Sequence, residues 1–305
     1  MRAVRFDEYG DRGVLHVADL PTPEPAAGEV LVEVRAAGIN PGEIAIRTGA
    51  FHERWPGTFP SGQGSDLAGV VTALGPGVRA WKPGDDVLGW SWRRSSQATH
   101  VTVPAGQLVA KPPALGWVTA GGLYVVGVTA YSAVRAIDPR PGETVAVSAA
   151  AGGVGTLVVQ LLARRGVNVL AIASPANDEW LTSKGATPIP YGDGLRDRLT
   201  AAAPEGIDAF LDLFGPDYVR LAVDLGIPRD RINTIIAFAL AAELGVKAEG
   251  SEDATTPEIL AEMAALVADG TLELPIAATY PLDRVTDAFA ELEQRHTRGK
   301  IVLIP

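Results

Sequence analysis

The sequence predicts an α/β protein in two parts: a front segment of short strands, then a doubly wound parallel sheet. Three observations predict it. Residues 1 to about 112 carry short apolar runs cut by dense Pro and Gly clusters, among them Pro21–Pro25, Gly75–Gly77 and Lys82–Asp85. Beyond Pro112 and Pro113 strand-like and helix-like runs alternate, as a parallel sheet with crossover helices requires. Within that half, Thr144–Ser174 reads strand, glycine turn, helix, strand: one βαβ unit.

In the front segment Arg2–Phe6, Leu15–Val17 and Val30–Val34 are strand candidates between turn signals. Pro41 is placed to open a short helix that runs through Ile44–Thr48. Phe51–Gly64 is a Gly/Pro/aromatic loop. Asp66–Ala73, Val78–Trp81, Asp86–Val87, Thr99–Val103 and Leu108–Lys111 continue the strand pattern, which suits a barrel-like or partly open β-domain. Gly116–Ile137 reads as one long helix, with Leu123, Val126, Ala130 and Val134 at helical spacing. After the βαβ unit come helix Asp178–Lys184, strand Thr187–Pro190, helix Leu195–Ala203, strand Ala209–Leu213, helix Tyr218–Leu225 and strand Ile232–Phe238. Helices Pro257–Asp269 and Asp283–Gln294 and a strand, Lys300–Ile304, finish the chain.

Composition narrows the function. The 305 residues are 47% hydrophobic and 20% charged, ample material for a core. A net charge of −10 argues against nucleic acid and against an anionic membrane surface as partners. Cysteine is absent, which excludes disulfides and thiolate zinc sites. His16, His52, His100 and His296 show no metal spacing, so no metal ligands are expected. Gly116–Val134 and Thr144–Ala163 approach membrane-span length. The first is speckled with Thr, Ser and Gly and the second is broken by a glycine turn, so both read as buried segments. The opening MRAVRFDEYG lacks an apolar run, and a cytoplasmic location is the expectation.

The turn Ala149–Gly155 carries the clearest chemistry. A pyrophosphate must approach the backbone closely, so side chains there must be nearly absent. Gly152 and Gly153 supply that absence, and Gly155 lets the helix pack close to the strand. The helix start then offers unpaired N–H groups and its positive dipole end. Ala150 stands where the first fingerprint glycine is usual. Ala150, Gly152, Gly153, Val154 and Gly155 are therefore candidate cofactor-binding residues.

Motifs along the whole chain resemble one family. Gly38-Ile39-Asn40-Pro41, Gly64-Ser65-Asp66-Leu67-Ala68-Gly69-Val70-Val71, Gly127-Val128-Thr129-Ala130-Tyr131, the Ala149–Gly155 turn and Arg298-Gly299-Lys300-Ile301-Val302-Leu303 occur in order. Together they resemble the medium-chain dehydrogenase/reductase superfamily, in its zinc-free quinone oxidoreductase (zeta-crystallin-like) branch. The resemblance implies a GroES-like substrate domain from residues 1–115 and 275–305 and a Rossmann nucleotide-binding domain from 116–274, with nicotinamide and substrate in the cleft. It also implies a homodimer through the sheet edge, here Ile232–Phe238.

Site residues follow by the same resemblance. Zinc alcohol dehydrogenases of the superfamily carry Cys where Asn40 stands and His where Ser65 stands, so zinc chemistry is not expected. Asn40 and Thr129 would lie near nicotinamide as catalytic-site residues. Ala45 stands where many quinone oxidoreductases have Tyr, and the pocket near Arg47, Phe51, Trp55, Trp90 and Trp92 would be reshaped. Ser174 ends the second strand of the βαβ unit where an NAD enzyme usually has Asp or Glu, and a hydroxyl tolerates a 2′-phosphate. Asn177 replaces a frequent family Lys. Tyr191 and Arg295 would flank that phosphate, although Asp178 could sit close to it, and Phe214 would line the ribose or nicotinamide. NADPH is favoured over NADH. The expected reaction is hydride transfer to a quinone or α,β-unsaturated carbonyl, which needs orientation and dryness more than an acid–base pair. Two alternatives stand beside it: a non-catalytic, crystallin-like NADPH-binding protein, and a tailoring enoyl-thioester reductase.

Overall fold

The computed structural model describes residues 1–305. The chain divides into two compact units. The first holds Met1–Val125, Thr256–Thr271 and Pro275–Pro305, and the second Val126–Thr255 with Leu272–Leu274.

In the front unit, strands β1 (Arg2–Phe6) and β2 (His16–Asp19) pair antiparallel. β3 (Glu29–Gly38) leads into helix α1 (Pro41–Arg47), and the two-residue β4 (Ser61–Gly62) pairs with β1. β5 (Asp66–Leu74), β6 (Asp86–Trp90), β7 (His100–Pro104) and β8 (Leu108–Ala110) follow. β3 is the hub: it pairs antiparallel with β5 on one side and with β7 and the terminal strand on the other. It carries ten residues, eight of them buried, because both its faces are covered. Val30, Val32 and Val34 join Leu67, Val71, Val87, Val101 and Val103 in one core. Val78–Trp81, expected as a strand, is a turn region, with Trp81 donating its indole N–H to the Ala105 carbonyl at 3.0 Å.

The long helix expected over 116–137 is two helices, α2 (Trp117–Gly121) and α3 (Tyr124–Ile137). Close packing explains the break. A Cβ on Gly121 would meet the Ala36 carbonyl carbon at 2.6 Å, and one on Gly38 would meet the Gly122 Cα at 3.0 Å. Backbone lies on backbone there, and the chain restarts as α3 with the Val125 N–H donating to Asp66 Oδ1 at 2.6 Å.

In the second unit, β9 (Thr144–Val147), α4 (Gly153–Arg164), β10 (Asn168–Ala173), α5 (Asp178–Ser183), β11 (Ala186–Pro190), α6 (Leu195–Ala202), β12 (Ala209–Asp212), α7 (Pro216–Asp224) and β13 (Ile232–Thr234) alternate. The five strands are parallel, in the order β11-β10-β9-β12-β13. The chain winds outward from β9 in one direction and then returns to wind the other way, a Rossmann-type doubly wound sheet. Its strand order reverses between β9 and β12, the switch point where ligands bind in such sheets. Ala146, Leu170, Ile172, Phe210 and Ile232 fill its core.

One expected strand is corrected. Ile232–Phe238 is strand only to Thr234, and α8 (Phe238–Leu244) follows. The sheet edge expected there as a dimer contact is met by the chain itself. Lys247 N–H donates to the Ile232 carbonyl and Thr234 N–H to the Lys247 carbonyl, both at 3.0 Å.

The chain then contributes α9 (Pro257–Ala268), β14 (Ile276–Pro281), α10 (Val285–Glu293) and β15 (Lys300–Ile304). α9, expected from the sequence in the nucleotide half, lies in the front unit. β15 runs parallel to β14 and antiparallel to β3. Phe289 and Val285 of α10 pack with Phe6, Ile39 and Leu303. No helix is long and apolar enough to cross a membrane.

Candidate active site

In the second unit the site begins at the head of α4. Gly152 is its N-cap in extended conformation, with no side chain capping the helix. The first-turn N–H groups of a 12-residue helix are thus left to another acceptor. Gly155 cannot be anything larger. A Cβ there would lie inside contact distance of the Ala149 oxygen and 2.7 Å from the Ala150 carbonyl carbon. Ala149 turns with φ of 47°, in the left-handed region. Ala150 is fully buried, its N–H donating to the Ile172 carbonyl at 3.1 Å, so it serves as wall and not as contact surface. The uncapped N-terminus and the glycine cradle fit a pyrophosphate.

Asp212, at the end of β12, fixes the next loop. Its Oδ1 accepts from Ser148 Oγ (2.9 Å) and from the N–H groups of Phe214 and Gly215 (both 3.0 Å). Its Oδ2 accepts from Thr234 Oγ1 at 2.7 Å. Burial raises its pKa, while the bonds from Gly215, Thr234, Phe214 and Ser148 pull the other way. The result is a rigid Leu213–Gly215 turn beside the switch point, with the Phe214 ring 40% exposed and edge-on to Tyr218. Sequence patterns do not single out Asp212, because its partners come from three strand ends.

Ser174 follows β10, and Asn177 Nδ2 donates to its Oγ at 3.0 Å. Tyr191 is tied to the same strand end, its N–H donating to the Ala173 carbonyl at 3.4 Å, and its side chain is exposed. The structure thus brings Ser174, Asn177 and Tyr191 together. It adds Arg198, whose guanidinium braces the turn through the carbonyls of Pro190 (3.0 Å), Asp193 (2.7 Å) and Gly192 (3.1 Å). That places a fixed positive charge under the tyrosine's turn. Thr129 is buried on α3 of the same unit.

The front unit holds Asn40, Ala45, Phe51, Trp55, Trp90 and Arg295. Asn40 caps α1 and is buried. Its side chain is committed inward: Nδ2 donates to Asp66 Oδ2 (2.9 Å) and Glu43 Oε1 (3.3 Å), and Oδ1 accepts from Lys300 Nζ (2.7 Å). Lys300 Nζ donates also to the Ile39 carbonyl (2.8 Å) and Asp66 Oδ2 (3.1 Å). An ammonium therefore sits among three oxygens at the Ile39–Asn40 loop. Glu43 accepts from Gln97 Nε2 (3.0 Å), the Asn40 N–H (3.2 Å) and the Ser65 N–H (3.2 Å) as well as from Asn40 Nδ2. Burial, with the Asp66 charge second, pushes Glu43 from its usual 4.5 up to about 7, against the pull of Lys300 and the Asn40 bonds. Glu43, Asp66, Gln97 and Lys300 are missing from the sequence-based set. The Asn40-Pro41-Gly42-Glu43 capping pattern was the one local signal.

Trp90 is buried and stacks on Tyr124, centroids 5.1 Å apart and planes 13° off parallel, so it is packing first. Phe51 and Trp55 meet edge to face beside Ala45. Arg47, read as pocket-lining, is fully buried, bonded to Glu293 at 3.1 Å and lying over Phe289. Arg295 follows α10 with φ of 57°. No group of three His, Cys, Asp or Glu is arranged to hold a metal ion.

Comparison with known proteins agrees with this geometry. Residues 26–136 match the alcohol dehydrogenase GroES-like domain and 185–303 the zinc-binding dehydrogenase domain. The chloroplastic quinone-oxidoreductase QR1 of Triphysaria versicolor is 27% identical over all of this chain and 98% of its own. A pikromycin polyketide synthase component of Streptomyces venezuelae is 33% identical over 94% of this chain, which spans only 8% of that protein's length. Among solved structures, the Escherichia coli quinone oxidoreductase complexed with NADPH superposes with a TM-score of 0.90 at 26% identity, both chains fully covered. With a Rossmann sheet and a GroES-like front unit, the chain belongs to the medium-chain dehydrogenase/reductase superfamily, in its zinc-free quinone oxidoreductase branch.

Proposed function

We propose that this protein is an NADPH-dependent reductase that passes hydride to a quinone or an α,β-unsaturated carbonyl. The observation that carries the reading is the backbone-only cradle at Gly152–Gly155, opening an uncapped helix at the switch point of the parallel sheet. When bound, a reduced nicotinamide supplies the hydride. The chain's residues hold and orient. The α4 N–H groups take the pyrophosphate. Leu213–Gly215, clamped by Asp212, forms a preset wall next to it. Ser174 and Tyr191 favour a 2′-phosphate, because Ser174 stands where a carboxylate would repel it and Arg198 adds positive charge under the turn.

In the front unit Asn40 acts by position. Its side chain is fully engaged, so it holds the Ile39–Pro41 loop in place. Quinone reduction needs one hydride and one proton, and water can deliver the proton to the oxygen that gains charge. Mixing the protein with NADPH and a panel of quinones and enones tests the reading. Loss of the reduced nicotinamide's near-ultraviolet absorbance is expected with quinones. Tight NADPH binding without turnover on any acceptor would overturn it.

A further inference from the structure

The chain passes between its two units at Val125–Val126, Thr255–Thr256, Thr271–Leu272 and Leu274–Pro275. The last two crossings bracket a short strap. Leu272–Leu274 belongs to the nucleotide unit, although α9 before it and β14 after it belong to the front unit. Ordering so short a segment costs chain entropy, so specific contacts must hold it. The Leu272 and Leu274 side chains are buried. Between them one side chain, Gln160 of α4, takes the main chain of Glu273. The Glu273 N–H donates to Gln160 Oε1 at 2.9 Å, and Gln160 Nε2 donates to the Glu273 carbonyl at 2.8 Å. The amide thus replaces the partner strand that Glu273, outside any strand, lacks. Glu273 Oε2 adds an ion pair to Lys184 at 2.5 Å.

Gln160 is also tied to the head of its own helix. Its Nε2 donates to the Thr156 carbonyl at 2.7 Å, and Thr156 Oγ1 donates to the Gly153 carbonyl at 2.9 Å. Gly153 opens α4 and belongs to the cradle that fits a pyrophosphate. Both N–H groups of the Gln160 amide are therefore spent, and the side chain is 6% exposed, so it is no ligand contact itself. After the strap, the Pro275 carbonyl accepts the Lys300 N–H at 2.9 Å, and a Cβ on Gly299 would lie inside contact distance of the Pro275 oxygen. Lys300 is the ammonium that holds Asn40. One buried amide therefore links the first turn of α4 to a residue two positions before the carbonyl that fixes β15.

We propose that Gln160 is a positioning residue for hydride transfer: it latches the Leu272–Leu274 strap to α4, so that a nucleotide on the head of α4 stiffens the strap and the start of β15 after it. The proposal rests on the reductase reading and adds the residue through which nucleotide binding reaches the Lys300 strand. A phosphate on the first-turn N–H groups reduces fraying of the turn to which Gln160 is bonded. The strap then loses freedom that it keeps in the free protein.

Amide hydrogen exchange with and without saturating NADPH tests the latch. In the wild type the nucleotide should slow exchange several-fold at the Glu273 and Lys300 N–H groups as well as at the head of α4. Lys300 is the telling position, because its N–H bonds Pro275 and not Gln160. In Gln160→Met, an apolar side chain of similar length, the slowing should remain at α4 and vanish at Glu273 and Lys300. Its kcat with a quinone should fall about tenfold, because small misplacements are costly to a positioned reaction, while the NADPH dissociation constant stays nearly unchanged. Lys184→Met removes only the ion pair on the Glu273 side chain and should keep the exchange response. If Gln160→Met does not fold, Gln160→Glu keeps the acceptor for the Glu273 N–H, removes both donors and serves the same comparison. Wild-type slowing that never reaches Lys300, slowing there that survives in the variant, or a kcat and an NADPH affinity that fall in the same proportion would overturn the latch and leave the reductase reading standing. NADPH bound without turnover of any quinone would overturn the reductase reading alone, since the exchange still reads the latch. Absence of NADPH binding would overturn both.

Discussion

Asp212 in the nucleotide unit and Glu43 in the front unit are both buried carboxyls facing four donors, and they do opposite jobs. All the donors on Asp212 are neutral, from Ser148, Phe214, Gly215 and Thr234, each on a neighbouring strand end or turn. The group fixes one backbone turn. Glu43 instead shares its enclosure with a second carboxylate, Asp66, and an ammonium, Lys300. Its network joins residues 40, 43, 65, 66, 97 and 300, so it closes β15 onto the front of the unit. One hub fixes a single turn; the other holds distant segments together through charge. Breaking each should therefore be felt in different measurements.

The largest effect is expected from Lys300→Met. Removing the ammonium leaves Asp66 and Glu43 buried without their cation, and breaking such a pair costs about 3–5 kcal/mol. The thermal midpoint should fall by ten degrees or more, at roughly a few degrees per kcal/mol for a unit of this size. Adding Asp66→Asn to the variant should recover part of the loss. Midpoints equal to wild type would show that the cluster is not a structural clamp.

The same hub predicts a pH dependence of stability that reaches neutral pH. Glu43 titrates near 7 in the folded chain against 4.5 in the unfolded one. The folded state thus holds the proton more tightly, and stability falls as pH rises from about 4.5 through about 7. The full loss is of order 3 kcal/mol, since each pH unit of difference is about 1.4 kcal/mol. Denaturant midpoints measured between those limits should decline with pH, and in Glu43→Ala, destabilised throughout, the slope should flatten. A wild-type midpoint that rises over this window would mean that the four N–H donors keep Glu43 ionised.

The glycine turn of the nucleotide unit answers to a smaller, more local change. Gly155→Ala sets a Cβ against the Ala149 carbonyl, and the turn must open to admit it. A stability loss of about 2 kcal/mol is expected, of the size typical for a core or backbone clash. Nicotinamide nucleotide affinity, read by calorimetry, should fall more than tenfold. Unchanged affinity would move the pyrophosphate away from this helix.

The glycine turn and the Glu43 cluster also explain what the sequence disclosed. The turn at 149–155 is legible because its demands are met by residues next to one another: no side chains, then a helix start. The fold class was legible for the same reason, through alternating strand and helix runs. The front cluster was not, since Lys300 and Asn40 are 260 positions apart and only the folded sheet brings β15 beside β3. Likewise the early end of β13 at Thr234 and the start of α8 at Phe238 were hidden, because in a short apolar run strand and buried helix look alike. The break between α2 and α3 was invisible because it is set by Ala36 on another strand.

Cofactor choice is the finest contrast within the nucleotide unit. Ser174 and Tyr191 share a strand end, and the Arg198 guanidinium is spent on three carbonyls of the turn. The proposed preference for NADPH therefore rests on the absence of a carboxylate at position 174 more than on a dedicated arginine fork. Ser174→Asp should supply the repulsion. It should lower the kcat/KM ratio of NADPH to NADH about tenfold or more, roughly 1.4 kcal/mol, with little change in thermal stability because the position is partly exposed. Arg198→Gln should lower the same ratio less, and it should also loosen the Pro190–Asp193 turn, seen as faster amide exchange there. A Ser174→Asp enzyme with an unchanged NADPH-to-NADH ratio would shift the proposed 2′-phosphate contact from this strand end to another part of the chain.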